Sequence, residues 1–442
     1  MSTLVIREIV GPDDTAPVFT HGLIIGQGNA WGVDHIGTPG GPAFGVGICP
    51  AAVVPVGMYA LAGHDNPMSA YTGNYQYADG SVMAYIPPFW EKWGDGSNGF
   101  ALNWLDIKPL SHFADVSAAN AAGYAMDRAF YDGGAIKGVF VDKFLCSNNN
   151  GIASSIQNGA PLTSSAAHNP FSGLTGSPAN AYYGAIDAVK TRGANFFCAS
   201  VFIYKMLARL AYAHAQASSN ATFCAWYDST LSAPRGCNNN ALGDAYDASI
   251  AYVSDSYAAC GRTGSANYPA RTAHNGQLNG VYDLAGPLWQ IAPGITSDGA
   301  NYHVLKTSTR MRDVTSGNSG SADLWGPAGI SALYDNAGSS WGAATGASRY
   351  VTIGAVDQQV FSNATSGIDW QMAGAGIPLA NGIGGSNRFG NDGFWDYRPN
   401  EMCPIVCGGW YYASLAGVWA LTLYFVRGDS NDYVGCRAAL YP

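Results

Sequence analysis

Only Glu8, Glu91 and Glu401 supply glutamate to a chain of 442 residues, while glycine occurs 57 times. Exposed helices draw on acidic–basic pairs three or four residues apart, and an interior glycine costs a helix about 1 kcal/mol. The combination argues against a helix-rich protein and for short strands joined by turns. Hydrophobic residues make up 48%, including 26 Tyr and 12 Trp, enough for a substantial core. At this length the chain holds one large domain or two to three ordinary ones. Charged residues are 12%, about half the usual soluble share. A net charge of −9 leaves no electrostatic footprint for nucleic acid and disfavours anionic membranes.

Residues 1–80 read as a small all-β region for docking or oligomerisation, with short apolar runs separated by punctuation such as Gly37-Thr-Pro-Gly-Gly-Pro42. The alternative is an extension of the main domain's sheet. From Ser81 the character changes. Val82-Met-Ala-Tyr-Ile-Pro-Pro-Phe-Trp90 is β-rich, 115–130 has helical spacing, and 139–146 alternates like a strand. The strongest local pattern is an amphipathic helix over 194–216, with Phe197, Val201, Tyr204, Leu207, Leu210 and Ala211 on one face and Lys205 and Arg209 elsewhere. Beyond about 218 the expectation is short strands and long Gly/Ser/Asn loops. The apolar run in 1–10 is too short for a signal peptide and contains Arg7 and Glu8. The longest apolar stretch, 411–426, is broken by Ser414 and Thr422, so no transmembrane helix is expected.

The last thirty-five residues mix two kinds of position. Gly409, Ala416, Gly417, Trp419, Ala420, Leu421, Leu423, Arg427, Val434, Gly435, Arg437 and Ala438 read as framework, small, apolar or arginine. Between them stand Tyr411, Tyr412, Leu415, Thr422, Tyr424, Phe425, Asp429, Asn431, Asp432 and Tyr433, with no packing logic of their own. Each is reachable from an Asn codon by changing adenines. Rigid aromatics with short polar groups are also what a binding surface uses.

This segment resembles the variable region of diversity-generating retroelement target proteins, which end in an Ala-Gly-Val-x-Ala-Leu…Arg…Val-Gly-x-Arg-Ala pattern. Upstream, Phe140-Val-Asp-Lys-Phe-Leu-Cys146, the 194–216 helix and Asn279-Gly-Val-Tyr-Asp-Leu-Ala-Gly-Pro-Leu-Trp-Gln290 are similar to the C-type lectin fold in its formylglycine-generating-enzyme (sulfatase-modifying-factor) form. Pro287 and Gln290 depart from that family's usual Asn and Glu. The resemblance implies an α+β, C-type lectin-like ligand-binding domain over 81–442, with two helices, many short strands and long loops. Its variable region would span about 410–437, and Trp289, Gly417, Trp419, Arg427, Gly435 and Arg437 would be scaffold. Arg427 or Arg437 would satisfy several carbonyls or a carboxylate in one fork. It further implies a non-enzymatic phage or prophage tail-fibre-tip protein or bacterial surface adhesin, a homotrimer, whose partner is a host cell-surface receptor, protein or glycan. The missing export signal fits assembly in a virion or a dedicated secretion apparatus.

Two alternatives stand beside this: a formylglycine-generating-enzyme-like oxidase and a structural virion component. The enzymes of the family use a cysteine pair in their C-terminal segment. Here Cys403 and Cys407 precede Gly408-Gly409, with spacing one residue shorter. The nine cysteines read mostly as buried small hydrophobes, with a Cys224–Cys237 or Cys403–Cys407 bridge as the alternative. Gly317-Asn-Ser-Gly-Ser321 lacks the context of a nucleophile loop, and Gly94-Asp-Gly-Ser-Asn-Gly99 lacks the Lys-Ser/Thr of a phosphate cradle. No catalytic residue and no metal ligand is assigned, and no cofactor. C-type-lectin-like folds often carry structural calcium, for which Asn148-Asn149-Asn150 and Asn238-Asn239-Asn240 offer oxygens. Such runs are more often solvated turns.

Overall fold

Helix Val201–Ala217 begins where Ser200 stands extended (φ −79°, ψ 161°) and its Oγ accepts the Ile203 amide at 3.4 Å. Every residue from Val201 to Ala215 is buried, so this is a central helix enclosed on all sides and not the one-faced helix expected over 194–216. Its polar residues are tolerated because each has a partner. Lys205 Nζ donates to the carbonyls of Trp419 (2.9 Å) and Ala420 (3.1 Å). Arg209 lies 2.9 Å from the Glu91 carboxylate. The helix starts later than expected because Phe197–Cys198 is a strand.

The computed structural model of the chain describes residues 36–47, 51, 53–176, 182–227, 238–245, 247–316, 333–339, 347–350, 358–379, 389 and 392–442. The chain divides into two compact units, Met1–Gly32 and Val33–Pro442, and every described residue lies in the second. Residues 1–35, Cys49, Cys237 and the 317–321 run fall outside the described residues.

One six-stranded antiparallel sheet runs in the order Met58–Ala60, Asn74–Tyr77, Val82–Ile86, Val139–Asp142, Ala438–Leu440, Phe197–Cys198. The C-terminal strand is therefore interior, with Ala439 opposite Val141 on one side and Phe197 on the other. Asn74–Tyr77 and Val82–Ile86 are arms of one hairpin, so the boundary expected near residue 80 falls inside its turn. Met58–Ala60 and Asn74–Tyr77 thus share a sheet with Val139–Asp142 and Ala438–Leu440. A second six-stranded sheet is mixed: Ala347–Tyr350, Gly393–Asp396, Leu421–Thr422, Ile405–Val406, Trp289–Ile291, Val434–Gly435.

Five α-helical segments occur among the described residues, where the sequence suggests two: Val116–Ala121, Ser172–Thr175, Tyr182–Lys190, Val201–Ala217 and Gly367–Gly374. The helix expected over 115–130 is cut to Val116–Ala121. Asp115 caps it, accepting the Ala118 amide at 2.8 Å, and left-handed Gly123 (φ 79°) turns the chain away. Ala125–Met126 then pairs with Phe89–Trp93. The strand expected over 139–146 stops at Asp142, and Cys146–Asn149 forms a separate hairpin with Ile152–Ser155. Asn150-Gly151, both left-handed (φ 53° and 85°), make its two-residue turn. The result is a mixed α+β domain with few helices and many short strands.

Candidate functional site

Segment 408–437 crosses the second sheet twice. Leu421–Thr422 pairs antiparallel with Ile405–Val406 and parallel with Gly393–Asp396, and Val434–Gly435 pairs parallel with Trp289–Ile291. Two close backbone approaches require small residues. A Cβ on Gly408 (φ 98°) would lie 2.5 Å from the Ala416 Cβ, and one on Gly417 would lie 2.1 Å from Asp392 Oδ1. Asp392 holds the loop from the other side, its Oδ2 accepting the Trp419 amide at 2.8 Å.

Arg437 is fully buried and forks into four acceptors. Nε donates to Gln290 Oε1 (3.0 Å), one Nη donates to the carbonyls of Asp142 (3.0 Å) and Lys143 (2.9 Å), and the other to the Tyr282 carbonyl. Gln290 Oε1 also accepts from Tyr204 Oη at 3.0 Å, and its Nε2 donates to the Asp283 carbonyl at 3.1 Å. Gln290 is thus a neutral hub suited to an arginine already occupied by carbonyls. Arg427 lies 4.6 Å over the Tyr182 ring, and Trp419 stacks on Phe361 at 5.1 Å.

Every framework position named from the sequence is buried, as is Trp289. Of the other set, Tyr411, Tyr412, Leu415, Phe425, Asp429, Asn431, Asp432 and Tyr433 are half-buried and Tyr424 is 57% exposed. Thr422 departs from the pattern. It is 6% exposed, with its backbone inside the sheet opposite Ile405 and Trp395, so it belongs with the frame. Replacing Thr422 with Tyr should cost about 1–3 kcal/mol by overpacking. Tyr424→Asn should stay within about 0.5 kcal/mol. Denaturant unfolding of the two variants checks this contrast.

The half-buried aromatics form one cluster. Tyr411 meets Tyr412 (5.3 Å between ring centroids) and Tyr433 (4.8 Å), and Tyr412 meets Trp289 (4.9 Å) edge-on. Tyr424 instead faces Tyr397 at 5.5 Å. Asp429 turns inward on its own loop, its Oδ2 accepting the Val426 amide at 3.0 Å.

The backbone at 430–432 rests on a segment that sequence reasoning missed. Ser164 Oγ donates to the Asn431 carbonyl (3.0 Å) and accepts the Asn431 amide (2.8 Å), while Ser430 Oγ donates to the Ser164 carbonyl. His168 Nδ1 lies 2.8 Å from the Asp432 carbonyl, and its Nε2 lies 2.6 Å from Asp255 Oδ2. Tyr257 stacks on the His168 ring (4.1 Å, 8°) and donates its hydroxyl to Asp432 Oδ2 at 2.7 Å. No local signal joins these residues. His168 is 87 positions from Asp255 and 264 from Asp432.

Among the described residues, one group has donor atoms spaced for a metal: His168, Asp255 and Cys260, all within 4.8 Å. Two ligands on one tetrahedral zinc stand about 3.3 Å apart at bond lengths of roughly 2 Å. The 2.6 Å between His168 and Asp255 is the spacing of a hydrogen-bonded ion pair. The asparagine runs serve as turns. Asn148 Oδ1 accepts the Gly151 amide (2.9 Å), Asn238 Nδ2 donates to the Ala259 carbonyl (2.6 Å), and the Asn240 amide donates to the Trp410 carbonyl (2.7 Å). The seven described cysteines are all buried and unbridged, Cys403 and Cys407 included. Burial pushes the thiols of Cys403 and Cys407 up to about 12.

These elements define a mixed α+β domain whose C-terminal segment divides into a buried frame and a partly exposed aromatic–polar face. No protein-family model matches the sequence, and no curated protein sequence matches it. Among solved structures, the chain is similar to the Major Tropism Determinant I1 Variant at 12% identity and to the Major Tropism Determinant M1 Variant at 13%, each with a TM-score of 0.30. Both alignments cover 82% of this chain and 63% of the other, so it matches less than two thirds of their length.

Proposed function

We propose that the chain is a receptor-binding protein rather than an enzyme. It presents, on a C-type lectin-like domain, a hypervariable site diversified by a retroelement and used for phage host attachment. The observation that carries this reading is the division of the C-terminal segment. The residues named as framework are buried, and those named as variable are, apart from Thr422, at least partly exposed. Substitution at such positions alters a contact surface without opening a core cavity. Tyr411, Tyr412 and Tyr433 act as aromatic anchors, with Tyr424 and Phe425 as outlying ones. Asp429, Asn431 and Asp432 supply polar contacts at the rim. Placed at a tail-fibre tip as a homotrimer, a modest single-site affinity gains avidity. An oxidase acting through Cys403 and Cys407 would need an accessible thiol pair, and both side chains are buried.

The test is adsorption of labelled protein to a panel of bacterial strains. For any strain that binds the wild type, the Tyr411→Ser, Tyr412→Ser, Tyr433→Ser triple variant should lose more than about tenfold in adsorption while remaining folded by circular dichroism. Equal adsorption by the folded triple variant sinks the reading. The origin of diversity has its own check: a near-copy of the coding segment for 410–437, differing at adenines and lying beside a reverse transcriptase gene.

A further inference from the structure

We propose that His168 is a positioning residue for the display site. As a doubly donating imidazolium it fixes the Asp432 carbonyl, and through the stacked Tyr257 ring it holds the Asp432 carboxylate. This deepens the reading above and rests on it for its functional meaning, but the geometry stands by itself. Nδ1 faces a carbonyl oxygen, which can only accept, so Nδ1 carries a proton. Nε2 faces the Asp255 carboxylate, whose other oxygen already accepts the Tyr257 amide at 2.9 Å. Asp255 lies below its ordinary value of 3.8: burial opposes this, and hydrogen bonds from His168 and the Tyr257 amide outweigh it. An ionised carboxylate accepts only, so Nε2 also carries a proton, and the ring is a cation clamped between two acceptors.

The other groups facing this ring complete its setting. Tyr257 covers one face in parallel stacking, Trp410 stands edge-on at 6.0 Å, and the Cys260 thiol, raised by burial and by Asp255, stays neutral nearby. Asp432 adds a second carboxylate, engaged by the Tyr257 hydroxyl. Among the described residues, Asp255 and Asp432 are the charged groups that act on the His168 ring. Burial disfavours the charged ring, the bonds to Asp255 and Asp432 favour it, and the net shift is upward from 6.5. A histidine raised in the folded state contributes order that is fully present below its unfolded value and lost as pH rises through the folded one. Asp255, lowered in the folded state, sets the acid limit below 3.8. The loop should therefore be most ordered at mildly acidic pH, below 6.5, and loosen as pH rises above that value.

Hydrogen exchange of the free protein, read by mass spectrometry and corrected for the intrinsic pH dependence of amide exchange, tests this without any ligand. Protection of peptides covering 429–434 should fall several-fold as pH rises through the His168 titration, followed by NMR of labelled histidine, while the central helix stays protected. His168→Gln should exchange fast across this loop at every pH, and Tyr257→Phe should retain the pH dependence with lower protection. A pH-independent wild-type loop, or a His168→Gln loop protected like the wild type, overturns the proposal. If His168→Gln does not fold, the wild-type pH profile alone decides. Because no receptor enters the measurement, a failed adsorption assay leaves this result standing, and the reverse holds equally.

Discussion

Arg437→Met should destabilise the protein by about 3–5 kcal/mol in denaturant unfolding, since it removes the guanidinium that donates to four buried acceptors, of which Gln290 Oε1 keeps Tyr204 Oη and the Lys143 carbonyl keeps the Tyr282 amide. Each orphaned acceptor costs about 1–3 kcal/mol before relaxation and water entry reduce the total. Arg437→Lys should recover only part of the loss, because an ammonium keeps the charge but lacks the planar fork that reaches Gln290, Asp142, Lys143 and Tyr282 together. A loss under about 1 kcal/mol for the Met variant would show that Arg437 is not the tie between the C-terminal segment and the rest of the domain.

The second large effect lies one strand away. Arg192 forms a bidentate pair with Asp142 (2.5 and 3.0 Å), both fully enclosed, and reaches Asp79 at 3.3 Å. Asp142 Oδ2 also accepts the Ala438 amide at 2.9 Å. Asp142→Leu should cost about 3–5 kcal/mol by leaving a buried arginine without its main counter-charge. Adding Arg192→Met should return part of that, because two apolar groups of similar volume replace a desolvated pair. Recovery should stay incomplete, since Ala438 N–H and Asp79 lose partners in the double variant. A double variant no more stable than Asp142→Leu alone would contradict this account, and chemical denaturation of all four proteins gives the cycle.

How much of this the sequence carries depends on the distance over which each feature is determined. The split between framework and varied residues in 409–438 is local, and burial follows it at all but one position. Thr422 is the exception because its neighbours on both sides, Ile405 and Trp395, come from strands the segment itself does not encode. The central helix is legible as a helix from the spacing of Val201, Tyr204, Leu207, Leu210 and Ala211. Its enclosure is not, because Lys205 and Arg209 look like solvent-facing residues until Trp419, Ala420 and Glu91 are seen to receive them. Val116–Ala121 is shorter than its apolar pattern because Gly123 and the pairing of Ala125–Met126 with a distant strand outweigh propensity. The dock at Ser164, His168, Asp255 and Tyr257 is least legible of all. Its members stand in loops without periodicity and meet only when the chain is folded.

Strand Ala438–Leu440 lies inside its sheet and is encoded downstream of the whole aromatic–polar face, Tyr411 to Tyr433. A ribosome must therefore read through the whole of 409–437 in frame before the sheet can close. A shifted frame or premature stop introduced there deletes an interior strand along with Arg437, and the product fails to mature instead of competing as a defective copy. On the function proposed above, folding screens each new version of the segment for intact reading before any receptor is met.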